Sequence, residues 1–379
     1  MLSFFNQEQI LDPYSSYAKW RSKYPIWREP TTGFWVLSRH NDIQLVLKDP
    51  ERFSSTAMGG NSDPSLPLLG DDPPKHTLLR NLIGKAFNRN VIDSLEEEVT
   101  KIADELVNKI VAGIEFDIVS VLTSPLPTIV ISRLLGIPEE KKEDFKLWSD
   151  SLTGVVNEQD LFERAKNVYA MKEYFAGLVV ERRAKPSVDL VSLLVNAELD
   201  GQRLSDTDII NFSILLLVAG NETTTNLISN LLNILVDQPD IWDRMHKDAA
   251  LVETAVEETL RYDSPVQYIL RKTTRDVHFY SERVAAGESM IIVIGSANRD
   301  PELFTNPDRF DIERGTTPHY AFGHGIHYCI GALLARLEAR KAVMAILKRA
   351  SVIERGVSTS LRVPSHMLRG FQRLPLIIR

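Results

Sequence analysis

The residues best equipped for chemistry sit in one short run, Phe322-Gly323-His324-Gly325-Ile326-His327-Tyr328-Cys329-Ile330-Gly331, ahead of the amphipathic stretch Ala332–Lys348. Cys329 is the one cysteine of the chain. That count excludes an intramolecular disulfide, a CxxC redox pair and any cysteine-rich zinc or iron–sulfur site within one chain. A cysteine at the start of a helix meets backbone N–H groups and the positive end of the helix dipole, and both favour thiolate over thiol. The thiolate is then a nucleophile or a metal ligand, whereas a lone cysteine elsewhere is usually a small buried hydrophobe. A mononuclear metal site of His324, His327 and Cys329 is a competing reading. Its weakness is that three ligands must converge from one short loop with no carboxylate nearby.

A second run carries an acid and an alcohol inside an apolar helix. The spacing predicts a helix from Ser205 to about Val236, with Ser205 and Asp208 as a capping-box start and Pro239 beyond its end. Apolar residues on several faces make it central and buried. Its middle nevertheless reads Ala219-Gly220-Asn221-Glu222-Thr223-Thr224-Thr225, where Gly costs about 1 kcal/mol relative to Ala and consecutive threonines are poor helix formers. Two readings stand side by side. In one, Glu222 meets a buried partner and the threonines bond back to preceding carbonyls. In the other, Gly220 lets a ligand approach the backbone while Thr223 diverts the Ala219 carbonyl, and Glu222 beside a hydroxyl relays protons.

The elements that must hold these runs are mostly helical. Helical spacing covers Val91–Val111, a run from Pro125 to Leu135, and the stretches 139–151, 159–182, 240–262 and 331–350. Ile26–Arg28 and Phe34–Leu37 form a hairpin around Thr31-Thr32-Gly33, and Ser289–Ile294 reads as a strand. The Pro- and Gly-rich stretches 55–74 and 300–328 are irregular. The fold class is mainly α, of the α+β kind, with small sheets. No linker divides the 379 residues, so residues 1–379 are expected to form a single large domain. With 44 basic and 51 acidic residues the net charge is −7, which disfavours a nucleic-acid binder. Neither the N-terminal run nor the apolar stretch Ile214–Ala219 resembles a signal or membrane anchor, so a cytoplasmic location is expected.

FGHGIHYCIG resembles the haem-binding loop of the cytochrome P-450 family, the haem-thiolate monooxygenases. AGNETT resembles that family's oxygen-binding helix, with its small–Gly–x–acid–Thr pattern. Glu258-Thr259-Leu260-Arg261 matches the family's Glu-x-x-Arg, and DPPKHTLLR, ILRKTTRD and SANRDPELF are similar to further family segments. The stretch AGNETTTNLISN is especially similar to thermophilic archaeal members. Asn221 stands where many bacterial members have His, and Ala286 replaces a common Pro before Gly287.

The resemblance implies a cytochrome P-450 fold, with haem b held between the long helix and the helix after the cysteine loop. It implies Cys329 as the axial metal ligand of that haem, bound without the CxxCH of covalent attachment. Phe322, Gly323 and Gly331 would contact the cofactor from the loop, and Ala219 and Gly220 from the helix. His76, Arg80, Arg271 and His327 would face the propionates. Glu222 and Thr223 match the acid–alcohol pair that supplies protons for oxygen cleavage. Hydrogen-peroxide-using fatty-acid members lose this pair, so its retention implies oxygen-dependent monooxygenation with electrons from a separate ferredoxin- or flavodoxin-type protein and its reductase. Glu258 and Arg261 would be structural, completed by Arg309 or, as a competing candidate, Arg314.

Family geometry would place Leu69, Leu215, Val218, Val266, Gln267 and Met367 around the distal pocket, which suits a hydrophobic small molecule such as a fatty acid, terpene or steroid. Arg80, Lys85, Arg89, Arg336, Arg340 and Lys341 would form a basic patch that steers an acidic electron donor. A haem-thiolate binding or gas-sensing protein without turnover is the alternative. The Glu222–Thr223 pair favours the enzyme, since a sensor has no use for a proton relay.

Overall fold

The computed structural model describes residues 2–58, 66–153, 160–315 and 318–379. Six helices position the site: α1 Lys75–Ala86, α2 Glu96–Val107, α3 Pro125–Leu134, α4 Asp206–Val236, α5 Leu251–Tyr262 and α6 Ala332–Leu347. The Ser205 hydroxyl accepts the Asp208 N–H and the Asp208 carboxylate accepts the Ser205 N–H, so α4 begins on a complete capping box. It buries Phe212, Leu217, Leu227, Ile228 and Leu231. A helix apolar on several sides needs neighbours all round, and α3, α5 and α6 pack against it. Helix α6, which follows the cysteine loop, is wedged between α2, α4 and α5. The main apolar core runs through all six and extends from Leu68 to Ile378.

The largest sheet has five strands: β1 Ile26–Arg28, β2 Trp35–Leu37, β3 Phe53–Ser54, β4 Ile269–Thr273 and β5 Ser289–Ile292. Their order is β1-β2-β5-β4-β3. The expected hairpin pairs Ile26 with Leu37, and β5 lies parallel to β2 and antiparallel to β4, setting Met290 opposite Arg271. A parallel pair needs a long crossover. Here helices α1 to α5 all lie within it, so β4 comes back under the helical body carrying Arg271.

Three segments depart from the expected elements. Val91–Val111 is two helices, Arg89–Ser94 and α2, because the Leu95 N–H turns tightly onto the Ile92 carbonyl and three acids then open a new first turn. The stretch 240–262 splits into Pro239–Lys247 and α5 at Asp248, whose extended backbone and side-chain bond to the Ala250 N–H interrupt the helix. The strand at Ser289 ends at Ile292, and Ile294–Ala297 is already a helical turn.

Candidate functional site

The cysteine loop is shaped by its own backbone. The Cys329 N–H donates to the Phe322 carbonyl at 2.8 Å, and the Gly323 N–H donates to Tyr320 at 2.8 Å. Gly323 and Gly325 have φ of +71° and +69°, where side chains are strained. A Cβ on Gly325 would also stand 2.5 Å from the Leu47 carbonyl, so only glycine lets the loop lie against the helix His40–Lys48. Gly331 is the N-cap residue of α6.

Cys329 is exposed toward a cleft of about 260 Å³ lined by Arg80, Phe87, Tyr328, Ile330 and Arg336. Burial of the sulfur among protein atoms nevertheless pushes the thiol pKa up. The Gly331 and Ala332 N–H groups, Arg80 and Arg336 oppose this without overcoming it. The helix start alone therefore does not produce the expected thiolate; coordination to a metal deprotonates such a thiol outright. Nor do His324 and His327 join Cys329 as ligands. Among the described residues no three His, Cys, Asp or Glu side chains gather as a metal set, and the His327 ring instead meets the Ser55 hydroxyl at 2.8 Å.

Four basic groups converge beside the loop. The rings of His76, from α1, and His327 lie 4.3 Å apart. Arg80, one turn further along α1, donates to the Tyr328 carbonyl at 2.6 Å. Arg271, only 4% exposed, bonds through Nη1 to the carbonyl of its own neighbour Leu270. Both His76 ring nitrogens are buried without a hydrogen-bond partner. Among the described residues none of the four forms an ion pair. Burial lowers all four pKa values, that of Arg271 to about 10, while His327 falls to about 3 because Arg271, His76 and Arg80 also repel its charged form.

On α4 the Thr223 hydroxyl donates to the Ala219 carbonyl at 2.6 Å, and Ala219 is exposed midway along an otherwise buried helix. Glu222 is half-buried, and burial raises its carboxyl pKa to about 7. Gly220 faces a neighbouring helix. A Cβ there would meet the Ile131 side chain of α3 at 2.7 Å, so close helix packing also favours glycine at this position.

Glu258 and Arg261 form a closed cluster. Arg261 spends its five N–H donors on both Glu258 oxygens, each at 2.7 Å, and on the carbonyls of Asn298, Pro307 and Arg309. The side chain completing it is Arg314, whose Nε reaches Glu258 at 3.1 Å. Arg309, the other candidate, is exposed and contributes its carbonyl.

The expected pocket residues divide. Val266 pairs with Leu368 in an isolated bridge, and the Gln267 N–H donates to Met367 at 2.8 Å, so these segments do meet. Leu215 is buried, and Leu69 and Val218 are half-buried against the core. Gln267 does not face a ligand. It is 2% exposed, accepts the Tyr17 hydroxyl at 3.0 Å and donates to the Ser264 carbonyl at 2.7 Å, which satisfies the amide internally. Parts of the 55–74 and 150–175 stretches, residues 59–65 and 154–159, lie outside the described residues.

The expected basic patch is largely neutralised. Lys341 pairs with Glu96 at 2.7 Å, Arg340 with Glu253 at 3.7 Å, Arg89 with Asp93 at 3.5 Å and Arg336 with Glu257 at 2.5 Å. Ser55 and Glu257 are the site residues missed from sequence. Only Glu257, adjacent to Glu258, had a signal that might have drawn notice.

A profile of the Cytochrome P450 family matches residues 2–369. The chain belongs to this family. It is 38% identical over 354 residues to a putative cytochrome P450, YjiB, of Bacillus subtilis, covering 92% of this chain and 89% of that one. It is 37% identical over 391 residues to the cytochrome P450 monooxygenase PikC of Streptomyces venezuelae, covering 99% and 93%. Among solved structures, cytochrome P450 CYP109Q5 from Chondromyces apiculatus superposes with a TM-score of 0.93 at 37% identity over 100% and 98% of the two chains. CYP109E1 from Bacillus megaterium in complex with corticosterone gives 0.92 at 34% identity over 98% and 100%.

The fold is thus the cytochrome P450 fold, and the protein is a haem-thiolate monooxygenase with haem b and a cysteine thiolate ligand, using O2, a redox partner and a small-molecule substrate. The residues present fit that cofactor. Its two propionates are anionic, and beside the loop stand the buried His76 and Arg271 and the half-buried Arg80 and His327, none of them in an ion pair among the described residues. No helix among the described residues is long and apolar enough to cross a membrane.

Proposed function

We propose that Cys329 is the axial ligand, that His76, Arg80, Arg271 and His327 hold the propionates, and that Glu222 and Thr223 deliver protons for oxygen-dependent monooxygenation of a hydrophobic substrate. The haem supplies the dioxygen chemistry, its thiolate favouring O–O cleavage. Phe322, Gly323 and Gly331 shape the loop beneath it, and Ala219, with the Gly220 backbone, forms the facing wall. The observation that carries the oxygen route is the acid–alcohol pair itself. Thr223 is anchored on the Ala219 carbonyl, and Glu222, with a pKa near 7, holds a proton and can release it at neutral pH.

Thr223→Ala tests this. Haem binding and the red-shifted Soret band of the reduced carbon-monoxide complex should persist, while product formed per electron consumed falls severalfold. Unchanged coupling removes Thr223 from the relay.

The substrate class follows from the apolar residues Leu69, Leu215, Val218 and Val266, and a steroid is favoured because CYP109E1 is described in complexes with corticosterone and testosterone. Titrating corticosterone, a fatty acid and a terpene against the resting spectrum ranks these classes. The electron donor is a ferredoxin or flavodoxin docking on the cysteine side. Because the cations there are paired with acids, its association should respond only weakly to ionic strength. The continuous core supports one domain over residues 1–379, and we place the protein in the cytoplasm.

A further inference from the structure

Arg336, expected to be a docking cation, is instead locked into the cysteine loop. It lies on α6, and its side chain is 25% exposed. Nε and Nη2 fork onto the two oxygens of Glu257 at 2.5 and 2.9 Å. Nη1 donates to the Tyr328 hydroxyl at 3.2 Å, and the guanidinium lies over the Phe322 ring, 4.5 Å from its centroid. Tyr328 precedes the cysteine, and Phe322 supplies the carbonyl that takes the Cys329 N–H. Both loop residues touching Arg336 therefore flank the sulfur.

Glu257 is fixed from its other side. His319 Nδ1 accepts the Ala321 N–H at 3.3 Å, so the ring proton belongs on Nε2, which meets Glu257 at 3.2 Å. Burial pushes the Glu257 carboxyl up, but hydrogen bonds from His319 and Arg336 overcome this and leave its pKa at about 2. The pair is charged throughout the physiological range. A planar guanidinium gripped at both ends, with one face on an aromatic ring, is preorganised and not free to reach for a partner.

We propose that Arg336 and Glu257 form an electrostatic clamp that sets the one-electron reduction potential of the haem through the Cys329 thiolate. Reduction adds one electron, supplied by the external donor, to a centre already carrying the thiolate's negative charge. A cation held beside the sulfur stabilises the more negative state, and the carboxylate behind it withdraws part of that stabilisation. Both are positioning residues. The inference rests on Cys329 being the axial ligand.

The test is a potentiometric titration of the holoenzyme without its electron donor. Arg336→Gln leaves Glu257 uncompensated and should shift the potential negative. Glu257→Gln leaves Arg336 uncompensated and should shift it positive. Each shift should correspond to about tenfold in the reduction equilibrium, ~59 mV for a one-electron couple. The double variant should return toward wild type, and Arg336→Lys, which keeps the charge, should move less than Arg336→Gln. A purely structural role would move both single variants in one direction, and that result overturns the clamp. Potentials that stay fixed while donor affinity drops also overturn it, in favour of a docking residue. Glu257→Gln and Arg336→Lys keep the test decisive if Arg336→Gln fails to fold. A red-shifted carbon-monoxide band with unmoved potentials defeats the clamp alone, whereas a wild-type holoenzyme lacking that band defeats the Cys329 reading with it.

Discussion

Two clusters of buried basic residues serve this protein in opposite ways. Around Glu258 every Arg261 donor has a home: that side chain, 2% exposed, ends on a carboxylate and three carbonyls, and Arg314 closes the remaining side. Beside the cysteine loop, Arg271 is buried almost as deeply yet donates only to the carbonyl next door, and neither His76 ring nitrogen has a hydrogen-bond partner among the described residues. Both clusters bear desolvation costs, but only the first recovers them within the chain. A satisfied buried charge reads as architecture. A buried arginine and a buried imidazole without an ion pair read as a place that an anion completes.

The largest expected effect comes from breaking the satisfied cluster. Arg261→Ala strips the 5% exposed Glu258 carboxylate of its two-pronged partner, leaving Arg314 as its remaining arginine, a change that costs about 3–5 kcal/mol. Arg261→Lys should rescue little, because an ammonium cannot reproduce five donors in a planar fork. Thermal unfolding and haem content measured together check this, and an Arg261→Ala protein with unaltered Tm would remove the distinction between the clusters.

Breaking the unsatisfied cluster should have a different signature. If Arg271 holds a propionate as proposed, Arg271→Leu removes one charge-assisted bond worth about 1.5–3 kcal/mol, so haem should dissociate roughly ten- to hundredfold faster into an apo-globin acceptor. The haem-free chain, relieved of a buried unpaired cation, should be at least as stable as wild type. If haem-free Arg271→Leu unfolds several degrees lower, Arg271 belongs with the architectural group.

These differences also explain what could be read from sequence. Glu258–Arg261 and His76–Arg80 are visible because helical spacing alone puts residues three or four apart on one face. The choice between Arg309 and Arg314 is not visible. Both lie in irregular chain, where no periodicity tells which side chain points inward. Gln267 was misassigned because its partner, Tyr17, is 250 residues away. The neutralised cations of α6 were misread for the same reason, since Glu257 and Glu96 reach them only through tertiary packing. Local periodicity revealed the helices and the motifs; it did not reveal where a charge finds its partner.

Glu222 extends the comparison to an unpaired acid and should show the smallest effect. Its folded pKa is about 7 against an ordinary value of 4.5, raised by burial alone. Below pH 4.5 the carboxyl is protonated whether the chain is folded or not, and it contributes no difference. Between 4.5 and 7 the unfolded chain ionises while the folded one keeps its proton, so the native state binds more protons and stability falls as pH rises. Above about pH 7 both forms are ionised and the cost is constant. Each pKa unit corresponds to about 1.4 kcal/mol, but Glu222 is only half-buried and solvent screens much of this. A net penalty of about 1 kcal/mol is therefore the reasonable expectation. Glu222→Gln carries no such penalty, so its stability advantage over wild type should be absent at pH 4, grow through pH 5–7 and level off at pH 8. An advantage that is constant with pH would mean that glutamine merely packs better. One that shrinks as pH rises would mean that Glu222 has found a cation after all, and the acid would join the satisfied cluster in kind.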